Sequence, residues 1–278
     1  MLFIRLVASP PLAPASADAL RRRLVNGELL ACVSDPDVNA TFVSVTTGDD
    51  DLKATVTAIA ETIGSTQAVG RAFRFELQHP DAKKISDELV RSVAVELQGA
   101  FRASVYLARR AVPAARWTTM RPMLWAADGL ALGDSAPALP FGGSESSGVA
   151  IEVGTPTVVA KARLVGGLTQ SQMKSIAAAT GGPESGLTEV GAYPITVAHD
   201  GAAVFVLELS DVKRAPLHRA LALLDIEARR FGACLGLGSL LSNAPLELFL
   251  DSLAMHMGLD VARRQVIETH LPTGAASR

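Results

Sequence analysis

The sequence predicts an α+β protein, built as two sandwiches side by side. Three observations carry this. Strand-like and helix-like runs are mixed along both halves of the chain. Between residues 109 and 148 the pattern fades, under Pro113, Pro122, Pro137 and Pro140. The chain has 278 residues, enough for one large domain or two small ones with cores of their own.

Residues 2–8 read as a first strand, followed by a proline-rich turn. Ser16 is placed to cap a helix carrying Leu20 and Leu24, with Gly27 as its stop. Residues 28–34 form a strand, Asp35-Pro36-Asp37 a turn, and 41–47 a β-rich run. Asp49, Asp50 and Asp51 open a helix whose acids complement its dipole. Leu52, Val56, Ile59 and Ile63 share one side, and Gly64 closes it. Residues 71–77 alternate Phe73, Phe75 and Leu77 against Arg74 and Glu76, which predicts a strand with one buried face. Ser86 caps a helix burying Leu89, Val93 and Leu97, and 104–107 is a short strand. The segment 141–148, FGGSESSG, reads as a loop or linker, so the halves divide there into 1–147 and 148–259, with 260–278 as a tail.

The second half restarts with a strand at 157–164. Thr169 and Gln172 form a capping box ahead of Met173, Ile176 and Ala177, and Gly181-Gly182-Pro183 closes that helix. Asp200-Gly201 between two apolar runs predicts a hairpin. Pro216 starts a helix with Leu217, Leu221, Leu224, Ala228 and Phe231 on one face. A glycine-punctuated run, 232–238, breaks it. Ser242-Asn243-Ala244-Pro245 starts another helix, expected to bury Leu246, Leu250, Leu253 and Met257 and to end at Gly258.

Composition excludes several classes. A formal charge of −2 gives no electrostatic reason for nucleic acid or an anionic membrane as partner. Aromatic residues make up 5%, too few for base-stacking platforms. The N-terminal run is interrupted by Arg5 and is too short for a signal sequence, and no stretch reaches the length of a membrane span. A cytoplasmic address follows by default. Cys32 and Cys234 sit in apolar runs and read as buried thiols, without CxxC spacing.

The titratable residues offer few constellations. His79 stands in a loop at a strand end, beside Pro80. His199, His218, His256 and His270 share no metal-ligand spacing, so no metal is expected. No nucleophile elbow or phosphate loop occurs. Lys161 and Arg163 lie two apart on a strand and so point to the same face. They line either an exposed sheet or an anion site.

Several segments resemble the formiminotransferase domain, in order and spacing. Leu6-Val7-Ala8-Ser9-Pro10 stands where that family opens. Asp35-Pro36-Asp37-Val38-Asn39-Ala40-Thr41 resembles its Asp-x-x-x-Asn-Arg-Thr segment. Ser86-Asp87-Glu88 and Val105-Tyr106-Leu107 resemble a helix start and the next strand. Pro216-Leu217-His218, the 241–245 break and Phe249-Leu250-Asp251-Ser252-Leu253 resemble its end. The family transfers a formimino group from formiminoglutamate to tetrahydrofolate. The resemblance implies two ferredoxin-like sandwich subdomains, with mixed sheets facing a central cleft and helices outside. It places Asn39, Lys161 and Arg163 among ligand-binding positions.

The resemblance breaks at the chemistry. The family's basic histidine precedes the strand at 71–77, where this chain has Ser65-Thr66-Gln67-Ala68-Val69-Gly70. The family's arginine after Asn39 is Ala40. The expectation is therefore a formiminotransferase-like protein that lacks the parent transfer and binds a small anionic ligand or a partner. It requires no cofactor, with tetrahydrofolate as a ligand or co-substrate. The alternative is an active folate-dependent formimino- or formyltransferase using another base, His79. A second alternative is a non-catalytic dimerisation module, and the resemblance leaves room for a homodimer.

Overall fold

Side-chain alternation decides the layers. In the first strand, Ile4, Leu6 and Ala8 enter one apolar core while Val7 enters another, because successive residues point to opposite faces. The computed structural model describes residues 2–24, 27–67, 72–101, 103–109, 123–126, 129–132, 144–182, 186–197 and 199–257. Arg71, residues 110–122, His270 and the tail lie outside them.

The N-terminal half begins β1 (Leu2–Ser9), α1 (Ser16–Arg23), β2 (Gly27–Asp35), β3 (Ala40–Thr47), α2 (Leu52–Gln67) and β4 (Ala72–Gln78). The strands lie in the order β2-β3-β1-β4, each antiparallel to its neighbour. That is the ferredoxin-like βαββαβ arrangement. It is extended by α3 (Asp87–Phe101), β5 (Ala103–Arg109), a hairpin of β6 (Met123–Ala126) and β7 (Gly129–Leu132), and β8 (Ser144–Gly154). The last strand inserts between β4 and β5 and runs parallel to both, giving a six-stranded mixed sheet.

The C-terminal half repeats the pattern with β9 (Val158–Val165), α4 (Gln170–Thr180), β10 (Val190–Thr196), β11 (Ala203–Leu209), α5 (Leu217–Arg229) and β12 (Cys234–Leu240). Its order, β10-β11-β9-β12, is again ferredoxin-like, and all its pairings are antiparallel. A final helix, α6 (Leu246–Met257), follows.

The described residues form four layers: helices, sheet, sheet, helices. Leu20, Val56, Ile59, Val93 and Leu97 pack on the outer face of the first sheet. Met173, Ile176, Ala220 and Leu224 do so on the second. Between the sheets, Val7, Phe42 and Ala150 meet Val159, Val204 and Val206. The middle of the space between the halves is thus filled by side chains, apolar and charged, and the cleft survives at one end.

Several local expectations hold in detail. Thr169 accepts from the Gln172 amide, and the Gln172 side chain accepts from the Thr169 amide. Ser86 Oγ accepts from the Leu89 amide at 3.1 Å. Gly201 turns the 197–202 hairpin at φ 70°.

Others are corrected. Residues 144–148 are not linker but the start of β8, so the boundary at 147/148 falls inside a strand and the halves join at 155–157. The glycine run at 232–238 does break α5, through Gly232 at φ 77°, but it continues as the edge strand β12. Gly64 does not end α2, which runs on to Gln67; the buried face through Ile63 outweighs the roughly 1 kcal/mol cost of a helical glycine. Pro216 is the N-cap of α5, with extended backbone, rather than its first helical residue. In α6 only Leu248 is buried, while Leu246, Leu253 and Met257 are exposed and Leu250 is half-buried. Cys234 is exposed on the sheet edge; Cys32 is half-buried, and burial pushes its thiol pKa up.

Candidate functional site

Strand register builds a row of polar groups across the first sheet. Ser44, Arg5, Glu76 and Glu152 stand side by side on β3, β1, β4 and β8. All four face the second sheet and are no more than 3% exposed. The strand at 72–78 therefore buries both faces, not one. Its charged face is tolerable because opposite signs meet there. Arg5 pairs with Glu76. Arg74 Nη2 lies 2.8 Å from Glu76 and 2.9 Å from Glu208, which crosses from β11.

Two residues further along β1 and β4, at Phe3 and Gln78, lies a pocket of about 710 Å³ at the junction of the halves. The volume is in the range of small-molecule sites. Its floor is Gln78, Thr157, Val158 and Leu209, each at most 5% exposed. Its apolar walls come from Phe3, Val212 and Ala244, and its rim carries Pro80, Pro156, Pro245, Asn243 and Lys213. Phe3, Gln78, Val158 and Leu209 are strand residues, and the rest of the lining comes from the chain just after β4, β8, β11 and β12. Asp211 shapes the rim by accepting from the Lys213 and Arg214 amides at 2.9 and 3.2 Å. The Lys213 ammonium stands 3.8 Å from Glu247 and is mostly exposed.

The polar floor is held from behind. Arg5 donates to the Thr157 carbonyl at 2.7 Å and to its hydroxyl at 2.5 Å. Gln78 Nε2 donates to Glu76 at 2.9 Å and reaches Thr157 Oγ1 at 3.4 Å. A charged pair thus fixes two neutral groups that line the cavity.

The sequence-derived site residues lie elsewhere. Lys161 and Arg163 do share a face toward the other half, but the anions they hold belong to the chain. Lys161 Nζ is 2.5 Å from Asp35 and 3.0 Å from Asp37. Arg163 lies 3.0 Å from Asp37 and also pairs with Asp200. Burial works against charge at Asp37, but hydrogen bonds from Lys161 and Arg163 hold its carboxyl below the usual carboxylate range. At Lys161 burial likewise opposes the charge, and Asp35 and Asp37 raise its pKa. These ion pairs clamp the halves together.

Asn39 is a turn residue. Its φ of 52° is in the left-handed region, which asparagine tolerates better than most, and its carbonyl accepts from Ser9 Oγ at 2.8 Å. His79 is adjacent to the pocket in sequence but 7% exposed. Its Nδ1 lies 2.9 Å from the Asp81 amide and 2.8 Å from the Asp81 carbonyl, closing the turn after β4. His218 lies 3.5 Å from Ser252 Oγ between α5 and α6; burial, then the Arg219 charge, lowers its pKa. Among the described residues no group of three side chains is placed to hold a metal ion, and no helix is long and apolar enough to cross a membrane.

Gln78, Thr157 and Lys213 escape a reading by motif. The available signal was the sign pattern: Arg5 on one strand and Arg74 and Glu76 on another, each with its other face wholly apolar.

No family model matches the chain, and no curated protein matches it. Among solved structures, the chain is similar to an unknown protein from Galdieria sulphuraria, with 9% identity over 86% of this chain and 96% of that one. The TM-score of 0.23 is too low for that likeness to carry an argument.

Proposed function

We propose that this protein is a formiminotransferase-like binding protein of the cytoplasm. It takes a small, largely apolar molecule with an anionic group in the pocket at the junction of its halves, and it does not perform the parent formimino transfer. The observation that carries this reading is the pocket itself: an apolar-walled cavity with one ammonium, Lys213, at its rim. The segment 243–245, part of the family resemblance, lines it at wall and rim. The lining supplies amides, hydroxyls, a lysine and the Asp211 carboxylate, which is occupied by the Lys213 and Arg214 amides, but no imidazole, so it offers binding groups rather than a base poised near neutral pH.

Folates fit this chemistry, and tetrahydrofolate is the first ligand to try. Calorimetric titration with tetrahydrofolate should give saturable one-to-one binding. Incubation with formiminoglutamate and tetrahydrofolate should give no turnover. Steady turnover would overturn the reading, and its loss in His79→Ala would favour the transferase that uses His79. Sedimentation of the free protein reads the homodimer.

A further inference from the structure

We propose that the pocket floor recognises a carboxamide or ring lactam, and that the ligand's anion sits at the rim on Lys213. This rests on the pocket being the binding site. Glu76 carries a carboxylate, which only accepts hydrogen bonds when ionised. Its contact at 2.9 Å therefore requires the Gln78 amino group on that side, and the network fixes the amide's orientation. Gln78 then offers its Oε1, an acceptor, to the cavity it lines. Thr157 Oγ1 accepts from Arg5 at 2.5 Å and is 3.4 Å from Gln78 Nε2. Its own proton is left to donate.

The floor thus presents an acceptor beside a donor, backed by a compensated Arg5–Glu76 pair. An amide supplies the matching N–H and C=O. A carboxylate cannot satisfy Gln78 Oε1, since two acceptors face each other, and it would approach Glu76. A cation would approach Arg5. Neutral, two-sided hydrogen bonding is what remains, and leaving a buried polar group unmatched discriminates strongly. The one cation that lines the pocket, Lys213, is at the mouth, so the charged end of the ligand points outward.

The test uses the unaltered chain with three probes: 4-carbamoylbenzoate, terephthalate and benzamide, followed by NMR titration. The expected result is that 4-carbamoylbenzoate binds about tenfold tighter than terephthalate. Lys213→Ala should weaken 4-carbamoylbenzoate about threefold and leave benzamide unchanged. Gln78→Met should erase the preference, with the melting temperature checking its fold. Equal affinity of the two acids, or a benzamide affinity that depends on Lys213, overturns the assignment while leaving the pocket as a binding site. If no probe binds, the pocket reading falls with it. Binding of these probes without binding of folates would keep the amide floor and reject the folate.

Discussion

The Lys161 ammonium lies between two carboxylates of the other half, and this sets its pH dependence. The raised pKa of Lys161 stabilises the fold fully below about 10.5 and is lost as pH rises through the folded value. The lowered pKa of Asp37 works in the other direction. Its contribution is present above about 3.8 and is lost as pH falls through the folded value. His218, also lowered, adds a contribution present above about 6.5 that fades as pH falls. Urea midpoints measured across pH should therefore form a plateau from about 7 to 10, with a shoulder on the acid side that His218→Gln removes. Lys161→Met strands Asp35 beside Asp37 and should cost about 3 kcal/mol. A double-mutant cycle with Asp37→Asn should show coupling above about 0.5 kcal/mol.

At the scale of elements, α6 shows where local reasoning stops. Leu248 is 3% exposed and belongs to the outer core of the second sheet. Phe249 and Leu253 are each 49% exposed. Leu248→Ala should therefore cost about 2–3 kcal/mol by denaturant unfolding, and Leu253→Ser less than about 0.5 kcal/mol. The apolar period of this helix is real in the sequence, but period alone does not say which stripe meets the protein. Elements whose signals are local were legible: the Thr169 capping box, the Asp200-Gly201 hairpin and the helix over Leu52 to Ile63. The strands β8 and β12 were not. The first opens on Ser-Glu-Ser-Ser-Gly, and pairing with β4 and β5 makes it a strand. The second carries Gly236 where it passes close to its neighbour: a Cβ there would meet Val165 at 2.8 Å. Both depend on partners far away in the chain. The site failed to be legible for the same reason. Gln78 and Thr157 come together with Arg5 and Glu76 from segments far apart in the chain, which strand register alone brings side by side.

The molecule as a whole is two similar units sharing one inner layer. Val7, Phe42, Val204 and Val206 belong to neither outer core. Arg74, wholly buried, ties Glu76 of its own half to Glu208 of the other. The two halves should therefore unfold in one transition, with fluorescence and circular dichroism coincident. Arg74→Met leaves two buried carboxylates without their shared cation and should cost about 3–5 kcal/mol. Separation of the curves in that variant would show that the guanidinium welds the halves.

Residues 155–157 cross from one sheet to the other and also line the cavity. A guest wedged against Pro156 and Thr157 would splint that crossing. Its arrival should then be visible to deuterium-exchange mass spectrometry as slower labelling of the peptides holding Val158 and Leu209, before any chemistry is assayed.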